Sequence, residues 1–148
     1  MKGKIVAISI SSEKGMQKIN QSEVMVKENY GIVGDAHAGK WHRQISLLAQ
    51  ESIDKMIAKG LNVKAGDFAE NITTQGIDLL ALEIGDRLKL GMDVVLEITQ
   101  KGKECHSRCA IYEQAGDCVM PREGIFARVI KGGKLTPGME IEVVKCNV

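Results

Sequence analysis

Cys105 is the residue of this chain best suited to nucleophilic or soft-metal chemistry. Lys101, Lys103, His106 and Arg108 flank it, and neighbouring positive charge stabilises a thiolate over a thiol. Cys109 and Cys118 follow closely, while Cys146 stands apart near the C-terminus. The local clustering of three cysteines points to a chemical site rather than a disulfide scaffold. The step from Cys105 to Cys109 suits one half of a zinc site, but the second half lacks its paired cysteines. The bland alternative packs Cys109 and Cys118 as small apolar groups.

Two further segments carry unusual side chains. Gly31 to Arg43 gathers Asp35, His37, Lys40, Trp41, His42 and Arg43 into one Gly-containing stretch. Gly39 lets backbone amides approach an anion, and Lys40, His42 and Arg43 supply donors and positive charge. The competing reading is a surface loop whose Asp35 and His37 cap their own backbone. Gly66 to Thr74 places Glu70 and Asn71 in the middle of what reads as a strand, where such residues are rare. Asn71 offers both a donor and an acceptor to a flat heterocycle, and Thr73 adds a hydroxyl. A bulge or strand end capped by Asn71 explains the same residues without a ligand.

The elements that position these residues are mostly short strands. Lys4–Ser11, Glu23–Lys27, Asp67–Thr74, Arg87–Leu90, Asp93–Thr99, Ile125–Ile130 and Glu140–Val144 are apolar, alternating or β-branched, and turn residues bound them. Gln44–Leu48 is apolar, and Gln50–Lys59 then carries Ile53, Met56 and Ile57 at helical spacing, with Gly60 as its stop. Gly-Asp pairs recur at Gly34, Gly66, Gly85 and Gly116, and Pro137-Gly138 fits a type II turn. Short strands at this frequency imply a barrel or sandwich.

Composition narrows the class of protein. The chain has 148 residues, 20 Lys or Arg against 19 Asp or Glu, and a net charge of +1. That balance, with five scattered aromatic residues, argues against a nucleic-acid partner. One domain over residues 1–148 is expected, burying roughly 70% of its unfolded surface. The apolar run after Lys4 is too short for a signal peptide, and no stretch approaches the ~20 apolar residues of a membrane span. A cytoplasmic protein with reduced thiols is expected.

In their order and spacing, Gly31–Leu48, Gly66–Gly76, Gly85–Gly91, Gln100–Cys109 and Gly124–Gly138 together resemble the MOSC domain, the module named after the C-terminal part of molybdenum cofactor sulfurases. The likeness is to the small stand-alone bacterial form. It implies a mainly β, barrel-like fold with a few peripheral helices. It also implies that Cys105 accepts sulfur as a persulfide or ligates molybdenum. Many relatives reach this cysteine through a Pro-Cys step, where this chain has Lys101-Gly102-Lys103-Glu104. Under the resemblance, the ligand is the molybdenum cofactor, molybdopterin. Lys40, Arg43 and the Gly-rich turn would receive its phosphate, and Glu70, Asn71 and Thr73 would read the heterocycle edge. Asp35 and Glu70 alternatively orient His37 or Arg43 from behind.

Cys109 or Cys118 could resolve a persulfide as a disulfide. The pyridoxal phosphate chemistry associated with the family has no lysine site here, so sulfur would come from a separate cysteine desulfurase and pass to an acceptor such as a molybdoenzyme. Two other readings stay open, a non-catalytic carrier of the pterin cofactor and a zinc-stabilised interaction module.

Overall fold

Alternation of buried and exposed side chains decides which way each strand faces. In β7 (Arg87–Leu90), Leu88 and Leu90 are buried while Arg87 and Lys89 face out, and in β8 (Val94–Lys101) Val94, Leu96 and Ile98 turn inward. These strands supply the interior of a barrel in the computed structural model, which describes residues 2–13, 17–102 and 124–145. The other elements are β1 (Lys2–Ile10), β2 (Ile19–Gln21), β3 (Val24–Lys27), β4 (Gly31–Ile32), β5 (Ile45–Ala49), α1 (Gln50–Ala58), β6 (Ile72–Gln75), β9 (Ile125–Lys131), β10 (Gly133–Leu135) and β11 (Glu140–Val144). A 3-10 turn covers Leu79–Ala81.

Seven strands close on themselves in the order β11-β7-β8-β9-β5-β6-β1, and β1 pairs back to β11. Closure leaves no open edge within the ring. Neighbours are antiparallel except β5 and β6, which run parallel with Leu47 opposite Ile72. A parallel pair needs a crossover, and α1 lies in the one between them. The crossover explains why all five residues of β5 are buried. Ile45, Leu47 and Ala49 join the barrel interior. Leu48 packs outside it with Ile53 and Met56 of α1 and with Phe68 and Phe126. Outside the ring, β2 extends β1, and β10, β3 and β4 form a small separate sheet.

The mainly β barrel, the helix with its stop at Gly60, and the turn at Pro137-Gly138 match the sequence reading. Gly60 and Gly138 both adopt positive φ, +94° and +95°. The 67–74 strand is shorter than expected, because residues 66–69 form a turn and pairing begins only at Ile72. Positive φ at Gly66 and at Ala69, +95° and +63°, breaks the extended backbone there. The two-residue β4 and three-residue β2 and β10 are too short to produce a periodic signal.

Candidate functional site

The first two chemically unusual segments and Gln100, at the start of the third, meet on one outer face of the barrel, around Phe126. A β-bulge between Ile98 and Gln100 brings Gln100 opposite Phe126 on β9, and Phe126 lies opposite Ser46 on β5. Ser46 in turn bonds Asn71. Phe68 of the second segment belongs to the same apolar cluster as Phe126. Bulges redirect side chains next to functional sites. Here the bulge turns Thr99 and Gln100 onto the first segment: the Thr99 hydroxyl donates to the His42 carbonyl, and His42 Nε2 lies 2.9 Å from Gln100 Oε1.

Arg43 completes this face. Its guanidinium carbon lies 5.6 Å from the Trp41 ring centre and 5.4 Å from that of Phe126. A cation held over two rings at these distances is attracted to both π faces. Its Nε is buried without a hydrogen-bond partner among the described residues. Trp41 has its own tether, donating from Nε1 to the His37 carbonyl at 2.7 Å, and its ring lies nearly parallel to that of His37. Gln44 anchors the end of the loop from a buried position, accepting the Val129 N–H at 2.8 Å.

The start of the loop is fastened by a buried ion pair that sequence reading missed. Asp35 Oδ1 accepts from Lys18 Nζ at 2.7 Å, with both side chains fully buried. The same oxygen accepts the Ser11 N–H at 3.1 Å, and Oδ2 accepts the His37 N–H at 3.1 Å. Lys18 Nζ also reaches Ser11 Oγ at 3.1 Å and His37 Nδ1 at 2.9 Å. Asp35 therefore holds the His37 backbone in place. Lys18 lies in a polar stretch with no local pattern to mark it, so no signal in the sequence could have singled it out.

Glu70, Asn71 and Thr73 are fully buried and bonded to one another's surroundings. Asn71 Oδ1 accepts from the Ser46 N–H and hydroxyl at 2.9 and 3.1 Å, and its Nδ2 donates to the Ser9 carbonyl at 3.1 Å. One side chain thus ties β1 and β5 to the start of β6. Glu70 Oε1 accepts the Gly66 N–H at 3.0 Å, and Oε2 accepts the Thr73 hydroxyl at 3.0 Å. Burial pushes the Glu70 carboxyl above the ordinary carboxylate range, against the opposing effect of those donated hydrogen bonds.

Lys40, Trp41 and His42 line an open groove of about 490 Å³ with Thr99, Glu97 and Arg128. Glu97 is clamped between two arginines, 3.2 Å from Arg87 Nη2 and 2.9 Å from Arg128 Nη2. The groove and the Phe126 face share Trp41, His42 and Thr99. Asp35 and His37 do not line the groove, although the His37 ring lies 6.5 Å from that of Trp41, and the Glu70 cluster is buried away from it. Cys105, Cys109, Cys118 and Cys146 lie outside the described residues, as does His106. Among the described residues no group of three or more His, Cys, Asp or Glu is arranged to hold a metal ion.

Residues 34–142 match the family model described as MOSC domain. The chain belongs to the MOSC domain family. Solved structures share the fold of this MOSC protein. The YuaD protein from Bacillus subtilis has a TM-score of 0.83 at 20% identity, covering 99% of this chain and 98% of its own. YiiM from Geobacillus stearothermophilus has a TM-score of 0.72 at 22% identity, with 97% and 75% coverage. YiiM from Escherichia coli has a TM-score of 0.69 at 18% identity, with 99% and 71% coverage. No curated protein matches the chain significantly. No helix among the described residues is long and apolar enough to cross a membrane.

Proposed function

We propose that this MOSC protein carries sulfur on Cys105 and holds the molybdenum-pterin cofactor beside it, with the Arg43 face as the common platform. The observation that carries the reading is the convergence around Phe126 of the first two segments and of Gln100, where the third begins. The stretch bearing Cys105 departs from that face and returns to it, since Gly102 N–H donates to the Gly124 carbonyl at 2.7 Å next to Gln100 and Phe126. Two residues, Lys103 and Glu104, separate Gly102 from Cys105, and those three steps of chain span at most ~10 Å when extended.

The residues present suit an anionic, planar cofactor. The groove volume falls within the few hundred cubic ångströms typical of such ligands. Trp41 gives it a flat wall and Lys40 and His42 give it donors, while Arg43, stacked on Trp41 just outside the lining, keeps a buried Nε without an acceptor among the described residues. Lys40, His42 and Arg43 would hold the phosphate, and the bound cofactor would supply a redox-active metal. Glu70, Asn71 and Thr73 contribute from beneath, by fixing the strands that carry the face.

For sulfur transfer, the Cys105 thiolate attacks the outer sulfur of a persulfide donor. A new S–S bond forms at Cys105, the donor's S–S bond breaks, and the donor leaves as a thiolate. An acceptor thiolate then takes the outer sulfur and restores the Cys105 thiolate. Alternatively, Cys109 or Cys118 attacks Cys105, forming a disulfide and releasing hydrosulfide. A cysteine desulfurase would supply the donor, and a molybdoenzyme is the expected recipient.

The test is mass spectrometry of the protein after incubation with a cysteine desulfurase and cysteine. A gain of about 32 Da, one sulfur atom, on the Cys105 peptide is expected, and none in Cys105→Ala. If Cys105 stays unmodified while the desulfurase loads another acceptor, sulfur carriage is wrong. The groove favours a second reading in which the protein only carries the pterin. In that case Cys105→Ala retains the pterin and wild type gains no sulfur. Zinc bound stoichiometrically through Cys105, Cys109 and Cys118 would replace both readings with an interaction module.

A further inference from the structure

Glu97 holds two arginines in matched geometry, yet only one of them faces the groove. Oε1 accepts from Arg128 Nε at 3.2 Å and Nη2 at 2.9 Å, and Oε2 accepts from Arg87 Nε at 3.3 Å and Nη2 at 3.2 Å. Both arginines stand opposite Glu97 in the sheet, Arg87 on β7 and Arg128 on β9. Their side chains are about equally open, 47% and 49% exposed, with Glu97 at 19% between them. Arg128 lines the groove and Arg87 does not. Each guanidinium spends one edge on the carboxylate, which leaves the Nη1 hydrogens for another acceptor.

We infer that Arg128 is a second anion contact of the groove, whose ligand carries two linked anionic groups, one at Arg43 and one at Arg128, as a diphosphate does. Charge is the first reason. Lys40 and Arg128 line the groove against one acid, Glu97, and both oxygens of that acid are taken by arginines. Placement is the second. Ala127 and Val129 of β9 belong to the barrel interior, so Phe126 and Arg128 share the outer side, about 7 Å apart along the strand. Arg43 lies over Phe126, its buried Nε without an acceptor. Two guanidinium groups are thus anchored at successive outward positions of one strand.

Glu97 also orders the Arg128 side chain in advance, so less freedom is lost when an anion binds. The same contacts could serve only to brace β7, β8 and β9, and exposed ion pairs of this kind contribute little to stability. Bracing treats the two arginines alike, whereas contact with a ligand separates them. The inference rests on the proposed reading in placing the ligand beside Arg43, and it adds the class of that ligand. Its test needs neither sulfur nor pterin.

The experiment is calorimetric titration of the full chain with orthophosphate and with pyrophosphate, without divalent cations and at one ionic strength. Wild type is expected to bind pyrophosphate more tightly than orthophosphate. Arg128→Gln is expected to lose roughly tenfold to a hundredfold in pyrophosphate affinity, the effect of removing one charged donor, while orthophosphate affinity stays near that of wild type. Arg87→Gln removes the matched arginine outside the groove and is expected to stay within about twofold for both anions, because salt screens an exposed charge at a distance. Equal losses in the two variants would reduce Arg128 to a brace and overturn the inference. So would a wild type that binds neither anion or shows no preference for pyrophosphate, and that measurement decides even if a variant fails to fold. If pyrophosphate binds through Arg128 and the pterin does not bind, the cofactor reading fails while the anion contact stands. If the pterin binds and the pyrophosphate preference is absent, the inference fails while the cofactor reading stands.

Discussion

The guanidinium carbon of Arg43 lies 5.4 Å from the ring centre of Phe126, joining the cationic loop to the strand that follows the Cys105 segment. Arg43 to Ala should destabilise the protein by about 0.5–2 kcal/mol, the range for a cation over aromatic rings. It should also weaken pterin binding roughly tenfold to a hundredfold, as expected for loss of a charged hydrogen bond. Arg43→Lys keeps the charge but not the planar stack, so it should recover only part of the binding. Pterin affinity equal to wild type in Arg43→Ala would remove this residue from the platform.

Lys18 and Asp35 should behave as one unit in stability. Removing either alone strands a buried charge, so Lys18→Met and Asp35→Asn should each lose about 3–5 kcal/mol. The double variant should lose clearly less than the sum. Denaturant unfolding of all four proteins gives the coupling directly, and simple additivity would show that the pair contributes no coupling.

Glu70 should make stability fall as pH rises from acid toward neutral. Its carboxyl is raised in the folded protein, so the native state holds a proton that the unfolded chain releases near an ordinary carboxylate pKa of about 4.3. Its contribution is fully present below that value and is lost as pH climbs through the raised one. Glu70→Gln removes this slope. Unfolding free energies measured across the acid range should therefore diverge between wild type and variant, and parallel curves would contradict the burial effect.

Two glycines with the same backbone angle should respond differently to alanine. Gly66 and Gly138 both have φ of +95°, but a Cβ at Gly66 would collide with the Lys18 carbonyl and come within 3.0 Å of Ser9 Oγ. Around Gly138 there is nothing within 4 Å. Gly138→Ala should lose about 1 kcal/mol from backbone strain alone. Gly66→Ala adds the collision and should lose about 2–4 kcal/mol, visible as a lower denaturant midpoint.

Local pattern alone was enough for the strands β7, β8 and β11, the helix ending at Gly60, and the turn at Pro137-Gly138. In each, the residues that decide the conformation lie within a few positions of one another. The motif clusters of the candidate site were legible for the same reason, since Asp35, His37, Lys40, His42 and Arg43 are close in the chain. What those side chains touch was not. Asn71 answers to Ser9 and Ser46, 62 and 25 residues away, and Lys18 reaches Asp35 across 17 residues. The polar pair Glu70-Asn71 reads equally well as a ligand reader or as a brace until the barrel closes and surrounds it with backbone donors and acceptors. Closure of the seven-strand ring supplies those partners from distant strands, which leave no periodic trace in the sequence.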